Sequence, residues 1–379
     1  MKLIHLSDLH IGKRVNEFSM LEDQKYILAQ ILSIVKDEQP DGVILAGDIY
    51  DKTVPPAEAV QVFDHFLTEL SRLGTAVFLI SGNHDSAERL AFGSSLMRES
   101  RVFCAPVYDG NITSVCLEDS WGEVWIHLLP FLRPAAVRHV YENEPADTCE
   151  EAVATALSHL NPDPEKRNVL AAHQFVTGAA LSESEELAVG GLDQISAELF
   201  DPFDYVALGH IHSPQQVGRE TIRYCGTPLK YSFSEAGQQK SVTVVILREK
   251  GNIQIRTVPL KPLHDMRKLR GTYLEVTAKS FYEQFNREDY VQITLTDEED
   301  VPDGMQKLRV VYPNLMRLEY DNKRTREGRL IEAVEKLEEK SGLELFEEFY
   351  ELQNNSPMSE RQRSFAGKLM EEIDREREV

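Results

Sequence analysis

The 379-residue sequence predicts an α/β fold in which two β-sheets pack face to face with helices outside. Short apolar runs that end in glycine or a polar residue alternate with amphipathic helical stretches in the first third of the chain. Strand-like runs return between about residues 101 and 130, and again at 222–225, 241–247 and 253–258. A mixed pattern of this kind is typical of sheets that bury one face on each other and the other face under helices.

Four amphipathic helices are predicted between these strands. They span about residues 21–36, the stretch after Pro55-Pro56, about 87–98, and about 149–160. The first three carry apolar side chains at helical spacing on one face. We therefore expect each of these three to bury that face.

A smaller unit follows the connection at residues 261–265. Its predicted elements are a strand at 273–277, a helix at 281–285, a strand at 290–295, a helix at 305–311 and a strand at 315–320. The last segment carries three helical apolar stripes, and Ser359 is the predicted N-cap of the third. The predicted domains are thus residues 1–262, 263–322 and 323–379.

Motifs of metal-ligand side chains follow five of the apolar runs, each at the point where the run ends. In chain order they are Asp8-Leu9-His10, Gly47-Asp48, Gly82-Asn83-His84-Asp85, His173 and Gly209-His210-Ile211-His212. Because open α/β folds place their sites where strands end, we expect these side chains to lie close together. Two aspartates, an asparagine and four histidines are too many ligands for one ion. They suit two divalent ions that share a bridging carboxylate.

The order of the motifs carries this argument, since single motifs are weak. An Asp-X-His pair arises often by chance, and a lone histidine such as His173 is more often a hydrogen-bonded core residue than a ligand. Seven ligand-type residues that each follow an apolar run are not explained in that way. Imidazole together with carboxylate argues against Mg²⁺, which prefers oxygen ligands, and leaves manganese, iron, cobalt and zinc open.

Bulk properties set wider limits. A chain of this length exceeds one typical core, so two or more domains are expected. Its four cysteines (Cys104, Cys116, Cys149 and Cys225) show no CxxC spacing, which suits a reducing cytosol. No apolar run approaches the roughly 20 residues needed to cross a bilayer, and no signal peptide is recognised. We therefore expect a cytoplasmic protein.

The motifs resemble those of the calcineurin-like metallophosphoesterases and, within them, the bacterial SbcD family. The matching segments are Ser7-Asp8-Leu9-His10-Ile11-Gly12-Lys13, Gly47-Asp48-Ile49-Tyr50-Asp51, Ser81-Gly82-Asn83-His84-Asp85-Ser86 and Tyr224-Cys225-Gly226-Thr227-Pro228-Leu229. The resemblance is specific to about residue 260 and looser beyond it. It implies a four-layer β-sandwich flanked by helices, a small α+β capping domain, and C-terminal helices.

The resemblance also implies a set of metal ligands. The first ion would be held by Asp8, His10 and His212, the second by Asn83, His173 and His210, and Asp48 would bridge them. The implied metal is Mn²⁺, with the two ions roughly 3.5–4 Å apart. Phosphodiesters would be hydrolysed by a water activated by both ions.

His84 resembles the histidine of the family that contacts the scissile phosphate and protonates the leaving oxygen. Archaeal and eukaryotic relatives carry a second histidine where this chain has Asp51, whereas bacterial members commonly have aspartate. A second catalytic histidine is therefore not assumed, and Asp51 is a candidate for orienting His84.

The resemblance implies two partners. One is DNA, as single strands, hairpins and double-strand ends, cleaved by a single-strand endonuclease and a 3′–5′ double-strand exonuclease activity. The other is an SbcC-like ATPase of the SMC family, bound by the C-terminal helices within a heterotetramer. A homodimer would form through helices near residues 93–97. The alternative is that the C-terminal helices pack on the chain's own surface and that the capping unit has no substrate role.

Three classes of function fit these observations. They are a DNA nuclease that works with the ATPase in repair and recombination, a small-molecule phosphodiesterase or phosphatase, and a non-catalytic scaffold. The roughly 115 residues beyond the core disfavour the second, and the intact ligand motifs disfavour the third. The net charge of −22 repels DNA at long range, so DNA contact would be local. Lys13 and Arg14 are candidates for it, and could equally be ordinary surface residues.

Overall fold

Two six-stranded β-sheets form the centre of the fold. The computed structural model describes residues 1–185 and 193–323, together with 346–347, 350, 358–359, 361–367 and 369. In spatial order, the strands of the first sheet are Ile253–Pro259, Ser241–Leu247, Lys2–Leu6, Gly42–Ala46, Ala76–Ile80 and Val102–Cys104. The last four are parallel to one another, and the first two join the edge in antiparallel pairs.

The second sheet has a parallel centre and antiparallel edges. Its strands, in spatial order, are Gln215–Val217, Arg219–Tyr224, Tyr205–Gly209, Arg167–His173, Gly122–Leu129 and Thr113–Asp119. Strand Tyr205–Gly209 pairs in parallel with both of its neighbours. Two short pairs stand apart, Arg14–Val15 with Phe18–Ser19 and Phe175–Val176 with Gln194–Ile195.

The inner faces of the sheets pack on each other, as the sequence predicts. One buried cluster joins Leu3, Ile44 and Phe78 of the first sheet to Val124 and Val169 of the second. A second cluster lies between the first sheet and its helices, and a third on the outer face of the second sheet. The predicted four-layer α/β architecture is therefore confirmed.

The α-helices alternate with the strands along the chain, and the two longest bury most of the apolar face that their periodicity predicts. The bounds of the α-helices are Leu21–Glu38, Ala57–Arg72, Ala87–Leu90, Ser94–Met97, Pro134–Val140, Cys149–Ser158, Tyr273–Val276, Lys279–Tyr282 and Gly304–Val311, with 3₁₀ turns at Arg98–Ser100, Ala197–Phe200 and Phe233–Glu235. Helix Leu21–Glu38 ends at Gln39 in the left-handed conformation, just before Pro40. Helix Cys149–Ser158 begins with a capping box between Thr148 and Glu151.

The prediction of one helix over 87–98 is wrong. The structure has two four-residue helices, Ala87–Leu90 and Ser94–Met97, with Gly93 between them at a φ of +77°. A left-handed residue interrupts the helical ladder, and glycine adopts it without steric cost. Two apolar side chains of the predicted stripe are then left exposed, Phe92 at 85% and Leu96 at 76%.

A three-stranded sheet follows the connection after Leu260. Its strands, in spatial order, are Met266–Gly271, Tyr290–Leu295 and Leu315–Tyr320. The last two and helix Gly304–Val311 agree with prediction, but the predicted strand at 273–277 is wrong. That segment forms helix Tyr273–Val276, and the first strand of the sheet lies earlier, at Met266–Gly271. The buried side chains of this strand, Met266 and Leu269, are three residues apart. Such spacing hides a strand from a search for alternation.

The described chain divides into two compact units. The larger contains residues 1–270, 274–294 and 303–319, and the smaller contains 271–273, 295–302 and 320–379. Within the smaller unit, Thr296 N–H donates to Gly271 O at 3.0 Å and Asp321 N–H to Leu295 O at 2.8 Å. The predicted domain bounds at 262 and 322 stay a prediction.

Most residues of the predicted C-terminal stripes lie outside the described residues. Residues 361–367 are helical, and Ser359 Oγ accepts a hydrogen bond from Gln362 N–H at 3.4 Å, as expected of an N-cap. All four cysteines are free. Among the described residues, the helices are all too short or too polar to cross a bilayer.

Candidate metal centre

The predicted ligands lie where neighbouring parallel strands end. Asp8, Asp48 and Asn83 follow three adjacent strands of the first sheet. In the second sheet, His173 is the last residue of one strand and His210 follows the adjacent one. The first two loops are joined by backbone hydrogen bonds, from Asp8 N–H to Gly47 O and from His10 N–H to Asp48 O, each 3.0 Å. Face-to-face packing of the sheets brings both sets of loops to one edge of the sandwich.

The backbone is strained at four of these residues. Asp8, His10, Asp48 and His210 have φ values of +53°, +44°, +50° and +102°. Left-handed conformations are costly for side chains other than glycine, and they cluster at functional sites where the surrounding structure enforces them.

The glycines of the motifs allow the loops to approach closely. A Cβ atom at Gly82 would lie 2.1 Å from Asp48 Oδ1, and one at Gly209 would lie 1.9 Å from Ala46 O. Neither position therefore tolerates a side chain without moving the loops. Gly82 and Gly209 therefore let the proposed ligand beside each of them lie close to a neighbouring loop.

The donor atoms form two groups that meet at Asp48. In the first, His10 Nε2 and His212 Nε2 are 3.1 Å apart, and Asp8 lies within reach of both. In the second, Asn83 Oδ1 is 3.1 Å from His173 Nε2 and 2.9 Å from His210 Nδ1. Oδ2 of Asp48 lies 3.7 Å from His10 Nε2 and 3.3 Å from His173 Nε2. One carboxylate thus touches both groups, as a bridging ligand would.

The electrostatics of the cluster suit cations. Burial lowers the pKa of His10 and His212 well below the usual value, and that of His210 to about 3. Burial opposes ionisation of Asp48, but the adjacent His173 charge holds the pKa of Asp48 below its ordinary range. Neutral imidazoles and an ionised carboxylate are the forms that bind divalent metals, so His173 must lose its proton when a metal binds. These buried, converging donors therefore fit two divalent ions.

His84 lies beside the donors, and its ring contacts the backbone of Asp51. His84 N–H donates to Asp48 Oδ1 at 2.9 Å, and its Nδ1 is 3.2 Å from the backbone carbonyl of Asp51. The Asp51 carboxylate instead pairs with Lys13 at 2.7 Å and lies 3.7 Å from His10 Nδ1. His84, His10 and Asp48 also form a group whose donor atoms are close enough together to hold an ion.

Lys13 and Arg14, the candidate DNA contacts, lie in different settings. Lys13 reaches the site through Asp51 and lies 5.6 Å from the ring centroid of Tyr231. Arg14 is exposed and bonds to Glu17 O in its own hairpin.

Five further residues support the site, and none of them is assigned a role from the sequence. The buried Asp85 carboxylate accepts from the N–H groups of Ile49, Tyr50 and Gly82 at 3.1, 2.9 and 2.9 Å, and so ties the Asp48 loop to the Asn83 loop. Ser184, Glu185, Glu235 and Lys240 surround His212. Asp85 sits in a recognised motif, but the other four follow no recognisable spacing.

Comparison with solved structures yields distant likenesses. A dimetal phosphatase from Danio rerio has a TM-score of 0.42 and 12% identity, covering 69% of this chain and 98% of that one. The protein TT1561 of Thermus thermophilus has a TM-score of 0.40 and 13% identity, covering 68% and 98%. Phosphopantetheinyl hydrolase from Mycobacterium tuberculosis has a TM-score of 0.32 and 15% identity, covering 60% and 90%.

Family models match most of the chain. The model described as calcineurin-like phosphoesterase matches residues 1–214, which include all seven predicted ligands. The SbcD C-terminal model, described as the type 5 capsule protein repressor C-terminal domain, matches residues 262–354. The chain therefore belongs to the calcineurin-like phosphoesterase family and, within it, to the SbcD branch.

Proposed function

We propose that this protein is a two-metal DNA nuclease that works with an SMC-family ATPase on DNA ends and hairpins in the bacterial cytoplasm. The observation that carries the proposal is the meeting of two donor groups at Asp48, in a chain that also matches the SbcD C-terminal domain. A minimal phosphoesterase would not need the second feature.

The proposed ligands are those of the resemblance: Asp8, His10 and His212 for one ion, Asn83, His173 and His210 for the other, with Asp48 as the bridge. The bound ions, which we propose to be Mn²⁺, would supply an activated water and stabilise charge on the phosphorus. The protein's contribution is to hold the ligands. His173 Nδ1, for example, lies 2.8 Å from Ala46 O, so that bond orients its Nε2 towards Asp48.

His84 is the proposed proton donor to the leaving oxygen. If His84 Nδ1–H donates to Asp51 O, the ring is held by that bond and Nε2 is the nitrogen free to serve the substrate. A histidine placed in this way can give a proton to an alkoxide as it departs. The backbone bond from His84 to Asp48 fixes the residue beside the proposed bridge.

The proposed assembly is a homodimer bound to the ATPase through the C-terminal helices. The exposed Phe92 and Leu96 support a dimer through the region near residues 93–97, since large apolar side chains at the surface favour an interface. Phe92 also lines a groove of about 570 Å³, together with Phe63, Leu67 and Met97.

The test is cleavage of circular single-stranded DNA, a DNA hairpin and bis-p-nitrophenyl phosphate, with Mn²⁺ or with EDTA, and with and without an SbcC-like ATPase of the SMC family. We expect Mn²⁺-dependent cleavage of both DNA substrates. Mn²⁺-dependent cleavage of the small diester but of neither DNA substrate, with and without the ATPase, would identify a small-molecule phosphodiesterase instead. Absence of all hydrolysis with metal bound would identify a scaffold.

A further inference from the structure

We propose that Ser184 is a positioning residue of the metal centre, because its hydroxyl joins the His212 imidazole to a buried ion pair between Glu235 and Lys240. The inference rests on the proposed role of His212 as a metal ligand. It concerns what holds that ligand in place.

The chain of contacts is short and continuous. Ser184 Oγ lies 2.6 Å from His212 Nδ1 and donates to Glu235 Oε1, also at 2.6 Å. Oε2 of Glu235 then pairs with Lys240 Nζ at 2.6 Å. The ring nitrogen on the far side of His212, Nε2, is the one that faces His10.

The direction of each hydrogen bond follows from the donor count. Ser184 has one hydroxyl hydrogen, and a carboxylate can only accept, so this hydrogen goes to Glu235. His212 Nδ1 must then carry its own hydrogen and donate to Ser184 Oγ. A neutral imidazole has one N–H, so Nε2 keeps its lone pair, which is the form that binds a metal. The hydrogen bonds from His212 through Ser184 to Glu235 therefore select the Nδ1–H tautomer of His212, which is the tautomer that can bind a metal through Nε2.

The far end of the chain is anchored in the interior. Glu235 is 0% exposed and Lys240 4% exposed. Lys240 also donates to the backbone carbonyl of His212 at 2.9 Å and to Gln238 Oε1 at 2.8 Å. Because the same ammonium bonds to the backbone of His212 and to the carboxylate that serves its ring, rotation of the ring would leave buried polar groups without partners, which is costly.

The backbone of His212 is fixed separately from its ring. Its N–H donates to Glu185 Oε1 at 2.6 Å, and its carbonyl accepts from Thr227 N–H at 3.1 Å. Removing the Ser184 hydroxyl should therefore free the ring without displacing the loop. This separation lets a single hydroxyl be tested.

Ser182 offers a matched control. Its hydroxyl lies 3.4 Å from the same Glu235 oxygen and 2.7 Å from Ser184 Oγ, and its hydrogen bonds within the described part of the chain do not include one to His212. Ser182→Ala thus removes a neighbouring hydroxyl on the same loop and leaves the link to His212. Ser184→Thr keeps a hydroxyl at position 184 and serves as the conservative variant.

The experiment measures Mn²⁺ binding by isothermal titration in the full chain, for wild type, Ser184→Ala, Ser184→Thr, Ser182→Ala and His212→Ala. Loss of a residue that hydrogen-bonds to a metal ligand typically lowers the affinity for the metal by about 10- to 100-fold. We expect that weakening for one of the two ions in Ser184→Ala, with Ser184→Thr and Ser182→Ala near wild type. The ¹⁵N spectrum of His212 without metal should change from the Nδ1–H form towards the Nε2–H form in Ser184→Ala alone.

The outcomes distinguish the two claims. If His212→Ala loses an ion but Ser184→Ala binds both ions as wild type does and keeps the Nδ1–H tautomer, the positioning role is overturned and the metal centre stands. Equal weakening in Ser182→Ala and Ser184→Ala would also overturn it, since the loop rather than the hydroxyl would then matter. If His212→Ala retains both ions, the proposed ligand set itself fails.

Discussion

Substitution of His84 can separate catalysis from metal binding. The proposed catalytic role belongs to the ring of His84, whereas the hydrogen bond that anchors the residue comes from its backbone. In His84→Gln, the backbone N–H that bonds to Asp48 is kept. We expect both ions to stay and single-turnover cleavage of DNA to fall by about 10²–10⁴-fold, since the leaving oxygen loses its proton donor.

The matched control for that variant is His65→Gln, a change at an exposed histidine of helix Ala57–Arg72. It should cleave as wild type does. Full metal content together with undiminished cleavage in His84→Gln would mean that water protonates the leaving group. Loss of an ion would instead make His84 a ligand.

Metal binding should release protons, because one proposed ligand is protonated in the protein alone. Burial would lower the pKa of His173, but the charges of Asp48 and Asp8 beside it raise that pKa to about 9. Ligation needs the neutral ring. At pH 7.5 the ring must therefore lose its proton, and Mn²⁺ affinity should rise as the pH approaches 9.

Titration calorimetry in two buffers of different ionisation enthalpy measures that release directly. We expect the apparent binding enthalpy to depend on the buffer at pH 7.5 and much less at pH 9.5. Equal enthalpies in both buffers at pH 7.5 would show that His173 is already neutral or is not a ligand.

The positions of the proposed ligands were predictable from sequence, but the contacts that hold these side chains in place were not. Asp8, Asp48 and Asn83 each follow an apolar run, and that local pattern places them at the sheet edge. Ser184 contacts His212 across 28 residues of sequence, and it contacts Glu235 across 51 residues. Contacts between such distant loops depend on the packed fold and leave no local periodicity.

At the scale of elements, strands and long helices were predictable because burial imposes a period on them. The two errors have local causes. Gly93 in the left-handed conformation splits one predicted helix, and the three-residue spacing of Met266 and Leu269 conceals a strand. Neither feature alters the sandwich that carries the site.

The three-stranded sheet is joined to helix Leu21–Glu38 by a buried carboxylate. Asp23 accepts from Tyr290 OH at 2.8 Å, and from the backbone N–H and Nδ1 of His264, each at 3.1 Å. Tyr290→Phe removes one of these bonds and leaves the carboxylate its others. We expect the free energy of unfolding to fall by about 0.5–1.5 kcal/mol, measured by urea denaturation.

Asp23→Ala should cost more, because it leaves Tyr290 OH and His264 N–H without a partner in the interior. Tyr282→Phe, at a half-buried tyrosine outside this junction, is the control and should change stability less. If Tyr290→Phe were as stable as wild type while Asp23→Ala were also unaffected, the carboxylate would not stabilise the junction.

At the scale of the whole molecule, the proposed partner surface lies in residues 323–379, after the strands and the proposed ligands. Among the described residues, the three buried clusters include none beyond Met316. Deleting residues 323–379 should therefore abolish co-purification with the ATPase while leaving a folded protein that hydrolyses bis-p-nitrophenyl phosphate with Mn²⁺. Aggregation or loss of metal in the truncated protein would mean that the C-terminal segment belongs to its own core.

Because the net charge is −22, the proposed ions matter for DNA binding as well as for catalysis. An acidic surface repels the DNA backbone, so attraction must come from cations held at the site and from local basic groups. Dinuclear metal binding around Asp48 is thus the claim on which both the chemistry and the substrate depend.

Metal content of purified Asp48→Ala, measured by mass spectrometry after equilibration with Mn²⁺, tests that claim most directly. Wild type, and the surface control Asp201→Ala, should each hold two ions per chain. Asp48→Ala should lose occupancy at both positions and all hydrolysis, because the carboxylate touches both donor groups. Two tightly held ions in Asp48→Ala would contradict the account.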